Sequence, residues 1–322
     1  MKAKNWNSAS VAVLLIFEVF SHIFVLGCDL ETFKVRSKPP LEDITFVVKR
    51  PTNGDCVGFF FYSTWQKDPN TLRENLNDDT SWIKRFCEEH NLAIVTWSTE
   101  GLINSSQNQL QRELLLNEMC YVWNDSVNDL ILKDDDYTGV NLIYGISRGA
   151  TYAQALVKRY PGRFDGIHVH LCGFFETPGE EQVPENGPIW LLSTGEFDFN
   201  RRHTFLMADY LSKNGQIPIV KSSINLGHEL SSDIDSLSET FFRYVIKLKK
   251  ERDSTGRPVR ELHRAKTKSA KLKRSIIVAT APEANIMSEI DVYFPNSELL
   301  EAWLREDADA RKTKFDGAFL KP

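Results

Sequence analysis

A glycine-flanked serine lies between a β-prone run and a helix-forming stretch, and this arrangement constrains the fold more than any other feature of the chain. Residues 140–144 read Val-Asn-Leu-Ile-Tyr, residues 145–149 read Gly-Ile-Ser-Arg-Gly, and residues 150–160 are rich in Ala, Leu and Val. A strand followed at once by a helix requires a sharp turn at Ser147, where glycine neighbours leave the backbone room to bend. The order of strand, turn and helix predicts one unit of a layered α/β sheet.

The segment from 42 to 248 repeats this alternation of β-rich runs with amphipathic helical stretches. Such an alternation predicts an α/β fold class, with a mostly parallel sheet flanked by helices. The first two runs, 44–48 and 57–62, are separated by the turn-prone residues Pro51 to Gly54. That spacing predicts an antiparallel hairpin at the edge of the sheet.

The serine needs chemical partners if it is to act as a nucleophile. A serine hydroxyl is a weak nucleophile at neutral pH and requires an adjacent base. In a Gly-x-Ser-x-Gly turn the hydroxyl is presented away from the backbone, and the N–H of the next residue, here Arg148, points at the oxyanion that forms during acyl transfer. The positive end of the following helix adds to that field.

A carboxylate and a histidine follow the serine at the ends of later strands. Residues 190–193 lead into Thr-Gly-Glu-Phe-Asp, which offers Asp198 as the acid and Glu196 as the alternative. We predict Asp198, because in folds that carry a Gly-x-Ser-x-Gly turn the acid normally stands a few residues past the strand end, in a turn. His228 follows the run 217–224 and precedes the last long helical stretch, so it is the predicted base. The order Ser, Asp, His is the order of a triad built on a Gly-x-Ser-x-Gly turn.

These segments resemble the α/β-hydrolase superfamily, and most of all its cap-less serine esterases of the dienelactone-hydrolase, feruloyl-esterase and polyhydroxybutyrate-depolymerase type. The resemblance is carried by NLIYGISRGA at 141–150, RYPGRF at 159–164, LSTGEFD at 192–198 and LGH at 226–228. It implies an α/β-hydrolase fold without a large cap domain. It also implies that His228 deprotonates Ser147, that Asp198 orients the histidine, and that an acyl-enzyme forms without a cofactor.

The oxyanion hole of this family takes its other donor from the loop after an early strand, which often carries a His-Gly pair. Here that loop reads Ser-Thr-Trp-Gln over 63–66, so the chain departs from the pattern. A backbone N–H needs no particular side chain, and Thr64 or Trp65 is the expected donor. Aromatic residues predicted at this edge of the sheet are candidates for lining the substrate pocket, with burial in the core as the alternative for each: Trp65, Trp97, Phe174, Phe175 and Phe197.

The first residues have the layout of an export signal. A basic start is followed by the apolar runs 11–17 and 23–26 and then by Cys28. Residues 25–28 resemble a bacterial lipobox, although the family prefers Leu at the first of these positions and a small residue at the second. We predict a signal over 1–27 and an exported protein, which is periplasmic, at the cell surface or secreted, with membrane attachment through a lipidated Cys28. The alternative is an uncleaved N-terminal anchor.

Composition and the remaining cysteines narrow the possible partners. A net charge of −5 and a hydrophobic content of 42% are typical of a globular chain and argue against a nucleic-acid partner. The cysteines form no Cys-x-x-Cys pair, so a metal site is not expected. A disulfide and free thiols are both open for the four later cysteines, Cys56, Cys87, Cys120 and Cys172. We expect a monomer that acts on a small-molecule or polymer-linked ester.

The composition changes after the last long helical stretch. Residues 249–274 contain eleven Lys or Arg against three Asp or Glu and predict a solvated basic linker, with a contact to anionic lipid or cell-wall polymer as the alternative. The predicted organisation is a signal at 1–27, a linker at 28–41, a catalytic domain at 42–248, the basic linker at 249–274 and a C-terminal extension at 275–322.

Three functions of different kinds are consistent with these residues. The first is a serine hydrolase that cleaves a carboxylic ester. The second is a serine peptidase of the prolyl-oligopeptidase type. The lack of a propeller-sized N-terminal domain argues against this function. The third is a non-catalytic binding protein on a hydrolase scaffold, against which the complete series of Ser147, Asp198 and His228 weighs. We predict ester hydrolysis.

Overall fold

The computed structural model describes the chain over residues 30–35, 43–64, 68–98, 109–132, 139–172, 187–223, 226–267, 271–281 and 284–305. The strands of the main sheet are, in chain order, Leu30–Val35 (β1), Ile44–Lys49 (β2), Gly58–Ser63 (β3), Leu92–Trp97 (β4), Val140–Ile146 (β5), Gly166–His170 (β6), Ile189–Gly195 (β7) and Ile219–Ser223 (β8). A separate antiparallel pair is formed by Lys271–Ala281 (β9) and Ala284–Tyr293 (β10).

The helices cover the sheet and connect its strands. They span Pro69–Asn77 (α1), Trp82–His90 (α2), Gln109–Ser126 (α3), Arg148–Arg159 (α4), Arg201–Lys213 (α5), Ser232–Thr255 (α6), Val259–Thr267 (α7) and Ser297–Leu304 (α8). The third helix continues as a π-helical turn over Val127–Leu132, and a short 3₁₀ turn over Pro161–Arg163 follows the fourth.

The main sheet has the order β1-β2-β4-β3-β5-β6-β7-β8. Strand β2 runs antiparallel to both of its neighbours, and the five pairs from β4 across to β8 are parallel. Helices α3, α4 and α5 bury apolar side chains against one face, and α1, α2, α6, α7 and α8 do so against the other. Burial on both faces explains why the strands β4 and β7 are buried at every position. This layered sheet confirms the α/β-hydrolase fold that the sequence predicts.

The predicted hairpin of the first two runs is wrong. Strand β4 lies between β2 and β3, pairing antiparallel with β2, where Phe46 is opposite Trp97, and parallel with β3, where Phe60 is opposite Ile94. The turn-prone residues between the runs reverse the chain, but they do not specify which strand becomes the neighbour. That choice is made by the whole sheet, in which β3 is an interior strand that pairs with β4 on one side and β5 on the other.

The segment 28–41, expected to be a linker, contributes the edge strand β1. This strand pairs with β2 in continuous antiparallel register from Leu30 opposite Lys49 to Val35 opposite Ile44. Its residues are half-buried or exposed, because an edge strand covers only part of its surface. The short alternating pattern of Leu30–Val35 therefore carries too weak a signal to be recognised without its partner strand.

Residues 249–274 also differ from the expected solvated linker. Helix α6 continues to Thr255 and ends at Gly256, which has a φ of 71° as helix C-caps often do, and α7 follows over Val259–Thr267. Lys249 is buried and lies 3.1 Å from Asp165. Lysine and arginine are good helix formers, so a basic composition does not distinguish a solvated arm from an amphipathic helix.

The last described helix bonds to β8, one of the two edge strands of the main sheet. The indole N–H of Trp303 donates to the carbonyl of Val220 in β8 at 2.7 Å. The buried ammonium of Lys221 donates to the backbone carbonyls of Trp303 and Arg305. An edge strand offers unpaired backbone groups to other chains, and the bond from Trp303 satisfies one such group on β8.

The N-terminal predictions lie outside the described residues, since these begin at residue 30. Export and lipidation at Cys28 therefore stay predictions. Within the described ranges, none of the helices combines the length and the apolar character that a bilayer crossing requires. The cysteines of these ranges, Cys56, Cys87, Cys120 and Cys172, are free thiols.

Candidate active site

Ser147 stands at the tip of a sharp turn between β5 and α4. Its backbone has a φ of 53° and a ψ of −117°, a conformation that costs energy for any residue with a side chain. The turn is held from below, because the N–H of Ser147 donates to the carbonyl of His170 at the end of β6 at 2.9 Å. The strained turn presents the serine hydroxyl above the carboxyl ends of the central strands.

The two flanking glycines are required by close packing. A Cβ at Gly145 would lie 2.7 Å from Ala153 Cβ and 2.7 Å from Ala150 Cα. A Cβ at Gly149 would overlap the carbonyl group of Ser63, at the end of β3, and would lie 2.7 Å from the nitrogen of Thr64. Gly149 thus lets the start of α4 approach the loop after β3.

His228 lies beside the serine. Its Nε2 is 2.8 Å from Ser147 Oγ, and its Nδ1 is 2.8 Å from Asp198 Oδ1. The imidazole is 26% exposed while the carboxylate side chain is fully buried. An ionised carboxylate can only accept a hydrogen bond, so Nδ1 carries the hydrogen and its N–H donates to Asp198. In a neutral imidazole this leaves Nε2 without a hydrogen, free to accept the serine proton.

The carboxylate of Asp198 is held by further donors. The Thr194 hydroxyl donates to Oδ2 at 2.9 Å, and the N–H of Asn200 donates to Oδ1 at 2.9 Å. The alternative acid, Glu196, lies in the same turn, where its N–H donates to the carbonyl of Ser223. The carboxylate that accepts from His228 is that of Asp198.

The loops that carry the acid and the histidine touch each other. A Cβ at Gly195 would overlap the carbonyl groups of Leu226 and Gly227, so only a glycine allows this approach. The N–H of Phe197 donates to the carbonyl of Leu226 at 2.9 Å. The sequence segments that contain Asp198 and His228 meet through these backbone contacts.

Two of the three predicted oxyanion donors, Arg148 and Thr64, lie within the described residues and next to the serine turn. The N–H of Arg148 begins helix α4 directly after Ser147, so it carries the positive end of that helix. Thr64 is buried beside Gly149, as the close approach of its nitrogen shows. Trp65 lies outside the described residues.

The predicted pocket residues lie in different places: some are outside the described residues, one is in the core and one is half-exposed in a loop. Phe174 and Phe175 lie outside the described residues. Trp97 belongs to the core, where its ring packs 5.8 Å from that of Trp123. Phe197 is half-exposed in the loop after β7. Sequence reasoning missed Phe199, whose ring stacks on His228; the only available signal was its position next to Asp198.

Two buried histidines lie beneath the site. Burial lowers the pKa of His170 to about 4 and holds the pKa of His168 well below its usual range. Both imidazoles are therefore neutral at pH 7, and both lie within hydrogen-bonding distance of Ser193 Oγ. Among the residues that the structure describes, no group of three His, Cys, Asp or Glu side chains has the arrangement of a metal site.

No protein family and no curated protein matches this sequence. Solved structures with a similar chain trace include S-formylglutathione hydrolase FrmB from Staphylococcus aureus, with a TM-score of 0.48, 14% identity, and coverage of 67% of this chain and 98% of the other. An esterase from Pyrobaculum calidifontis has a TM-score of 0.46 and 15% identity, over 70% of this chain and 85% of the other.

A third similar structure is a putative dipeptidyl aminopeptidase IV from Bacteroides ovatus, with a TM-score of 0.49 and 16% identity. The similarity covers 68% of this chain but 35% of that protein. At these identities the substrate and the activity have to be argued from the site itself.

Proposed function

We propose that this protein is a serine hydrolase that cleaves a carboxylic ester through an acyl-enzyme on Ser147. The observation that carries the proposal is the continuous hydrogen-bonded series from Ser147 Oγ through His228 to Asp198, with both distances at 2.8 Å. A buried carboxylate, an imidazole in one defined tautomer and a hydroxyl on a strained turn form the arrangement that activates a serine.

In the first half of the proposed reaction, His228 Nε2 accepts the hydroxyl proton as Ser147 Oγ bonds to the ester carbonyl carbon. The negative charge moves to the carbonyl oxygen, where the N–H groups of Arg148 and Thr64 are the proposed donors. The buried carboxylate of Asp198 stabilises the imidazolium that forms. The imidazolium then gives its proton to the alcohol oxygen, the bond between this oxygen and the acyl carbon breaks, and the alcohol leaves.

In the second half, water replaces the alcohol. As the water oxygen bonds to the acyl carbon of the acyl-serine, His228 accepts a proton from the water. The bond to Ser147 Oγ then breaks, the serine recovers the proton from the imidazolium, and the carboxylic acid is released. The sum is one ester and one water converted into one acid and one alcohol.

The proposal is tested with the purified full-length protein, a fluorophosphonate probe and p-nitrophenyl acetate. We expect the wild-type protein to be labelled and to hydrolyse the ester, and Ser147→Ala to lose labelling together with a factor of about 10³ to 10⁶ in kcat. Ser212→Ala is the matched control, because this serine is exposed on α5. It should be labelled like the wild type.

Labelling of Ser147→Ala at the wild-type rate would show that another residue is the nucleophile. A folded wild-type protein that is neither labelled nor active would favour the non-catalytic binding role. Efficient hydrolysis of a peptide p-nitroanilide, with no hydrolysis of simple esters, would favour the peptidase.

A further inference from the structure

The ring of Phe199 lies flat on the imidazole of His228. The ring centroids are 4.5 Å apart and the planes differ by 25°, which is within the range of attractive stacked pairs. One face of Phe199 thus covers the histidine, yet 77% of the residue remains exposed. Most of this apolar surface is therefore available to a molecule that occupies the site.

The backbone on both sides of Phe199 is tied down. The carboxylate of Asp198 accepts the N–H of Asn200 at 2.9 Å, and the carbonyl of Asp198 accepts the N–H of Arg201 at 3.0 Å. These bonds close a tight turn around Phe199. The backbone that carries the ring is consequently held by the same residue that orients the histidine, so a ligand would have to order only the side-chain torsions of Phe199.

Exposed apolar side chains are also frequent in the two loops that meet at the site. Of the eight large apolar side chains exposed within the described part of the chain, three lie in the two loops that carry the acid and the histidine: Phe197, Phe199 and Leu230. These loops are joined by the bond from the N–H of Phe197 to the carbonyl of Leu226. A small exposed apolar surface beside convergent polar groups is characteristic of a ligand site.

The chemistry of the proposed reaction decides which half of an ester meets Phe199. The acyl carbon bonds to Ser147, and its carbonyl oxygen faces the amides of Arg148 and Thr64. The alcohol oxygen must come within hydrogen-bonding distance of His228 Nε2 to receive the proton. The first carbons of the alcohol therefore lie next to the imidazole and its stacked neighbour Phe199.

We propose that Phe199 selects esters whose alcohol portion is apolar, an aryl or branched alkyl group that packs on the exposed part of this ring. The inference rests on the proposed function and goes beyond it by assigning the specificity of the alcohol half. It predicts no effect of Phe199 on the choice between acyl groups.

The test compares ethyl acetate with benzyl acetate, which share the acyl group and release alcohols of similar basicity. We expect the ratio of kcat/KM for benzyl over ethyl acetate to fall about tenfold in Phe199→Ala, since a stacked aromatic contact is lost. Phe199→Tyr, which keeps the ring, should retain the wild-type ratio. The ratio between the p-nitrophenyl esters of acetate and butanoate should stay unchanged in every variant.

Because each result is a ratio, a general loss of activity from a displaced His228 cancels. Tyr121→Ala is the control for truncation of an exposed aromatic, since Tyr121 lies on α3 against Arg159. An unchanged benzyl-to-ethyl ratio in Phe199→Ala would overturn the inference, and so would a wild-type enzyme that is labelled by the fluorophosphonate but does not turn over benzyl acetate. A wild-type protein that is neither labelled nor active overturns the proposed function and, with it, this inference.

Discussion

The imidazole of His170 holds the loop of the base, because its Nε2 lies 3.2 Å from the carbonyl oxygen of Glu229, the residue after His228. The backbone of His170 also holds the turn of the nucleophile, since its carbonyl accepts the N–H of Ser147. One residue at the end of β6 thus contacts both of the segments that must meet.

The protons of this buried network can be assigned. A carbonyl only accepts, so His170 Nε2 is the donor to Glu229 and Nδ1 of the neutral ring accepts from the Ser193 hydroxyl at 2.8 Å. Ser193 then accepts from His168 Nε2 at 2.6 Å. The Ser238 hydroxyl donates to the carbonyl of Ile234 at 2.6 Å, and its oxygen lies 2.9 Å from His168 Nδ1, so contacts within hydrogen-bonding distance link α6, the sheet and the histidine loop.

We predict that His170→Leu lowers kcat about 10- to 100-fold with little change in KM, because the histidine loop loses the donor that positions it. The measurement is steady-state kinetics with p-nitrophenyl acetate. His170→Gln keeps an N–H donor of similar reach and should recover part of the loss. Equal activity of His170→Leu and the wild type would mean that the bond to Glu229 does not position the base.

Asp198→Asn should lower kcat about 10³- to 10⁴-fold, because the amide no longer stabilises the imidazolium and favours the wrong tautomer of His228. Glu196→Gln is the matched control, two residues away in the same turn, and should change kcat little. Both variants are measured for ester hydrolysis and for the rate of fluorophosphonate labelling. The opposite ranking would make Glu196 the acid.

Gly149→Ala should destabilise the protein by about 1–3 kcal/mol and abolish most activity, because the new Cβ overlaps the carbonyl group of Ser63 and pushes the loop of the proposed oxyanion donor away. Gly162→Ala is the control, since a Cβ there meets no atom within 4 Å. Urea unfolding and labelling rates provide the two measurements. Wild-type stability and activity of Gly149→Ala would show that this approach is looser than the structure indicates.

The stability should fall on acidification through His263. Desolvation lowers the pKa of this buried histidine from 6.5 to about 4, while its Nε2 donates to the carbonyl of Ile217 at 3.0 Å. Between these pH values the unfolded chain binds a proton that the folded protein does not. The folded state therefore loses stability as the pH falls through this window, by up to about 3 kcal/mol.

His263→Gln removes this titration, so its free energy of unfolding in urea should fall less between pH 6.5 and about 4 than that of the wild type. Buried His170 acts with the same sign, and Asp235 acts with the opposite sign because burial raises its pKa to about 6. Both groups are present in either protein and cancel in the comparison. Parallel pH curves would show that His263 does not contribute.

Several features were predictable from the sequence because they are local. The β-prone run, the Gly-x-Ser-x-Gly turn and the small-residue helix around Ser147 are contiguous, and each has its own period or backbone requirement. The order of Ser147, Asp198 and His228 along the alternating strands also predicted which residues meet, since parallel strands bring their carboxyl ends to one edge.

Other features were decided only when the whole chain was folded. A run of turn-prone residues does not specify that β4 inserts between β2 and β3, and a basic composition does not distinguish a linker from α7. The bonds that hold the Asp198 carboxylate, from the Thr194 hydroxyl and the N–H of Asn200, likewise form only in the folded turn.

The sequence by itself determined the type of sheet and the three side chains at its edge, because periodicity and turn chemistry act over a few residues. Only the tertiary structure decided what surrounds them: the stacking of Phe199 on His228 and the polar series from Ser238 to Glu229. Some of these contacts join residues that are far apart in the chain, and others depend on the hydrogen bonds of a single turn. The packing free energy between such groups leaves no periodic trace in the sequence.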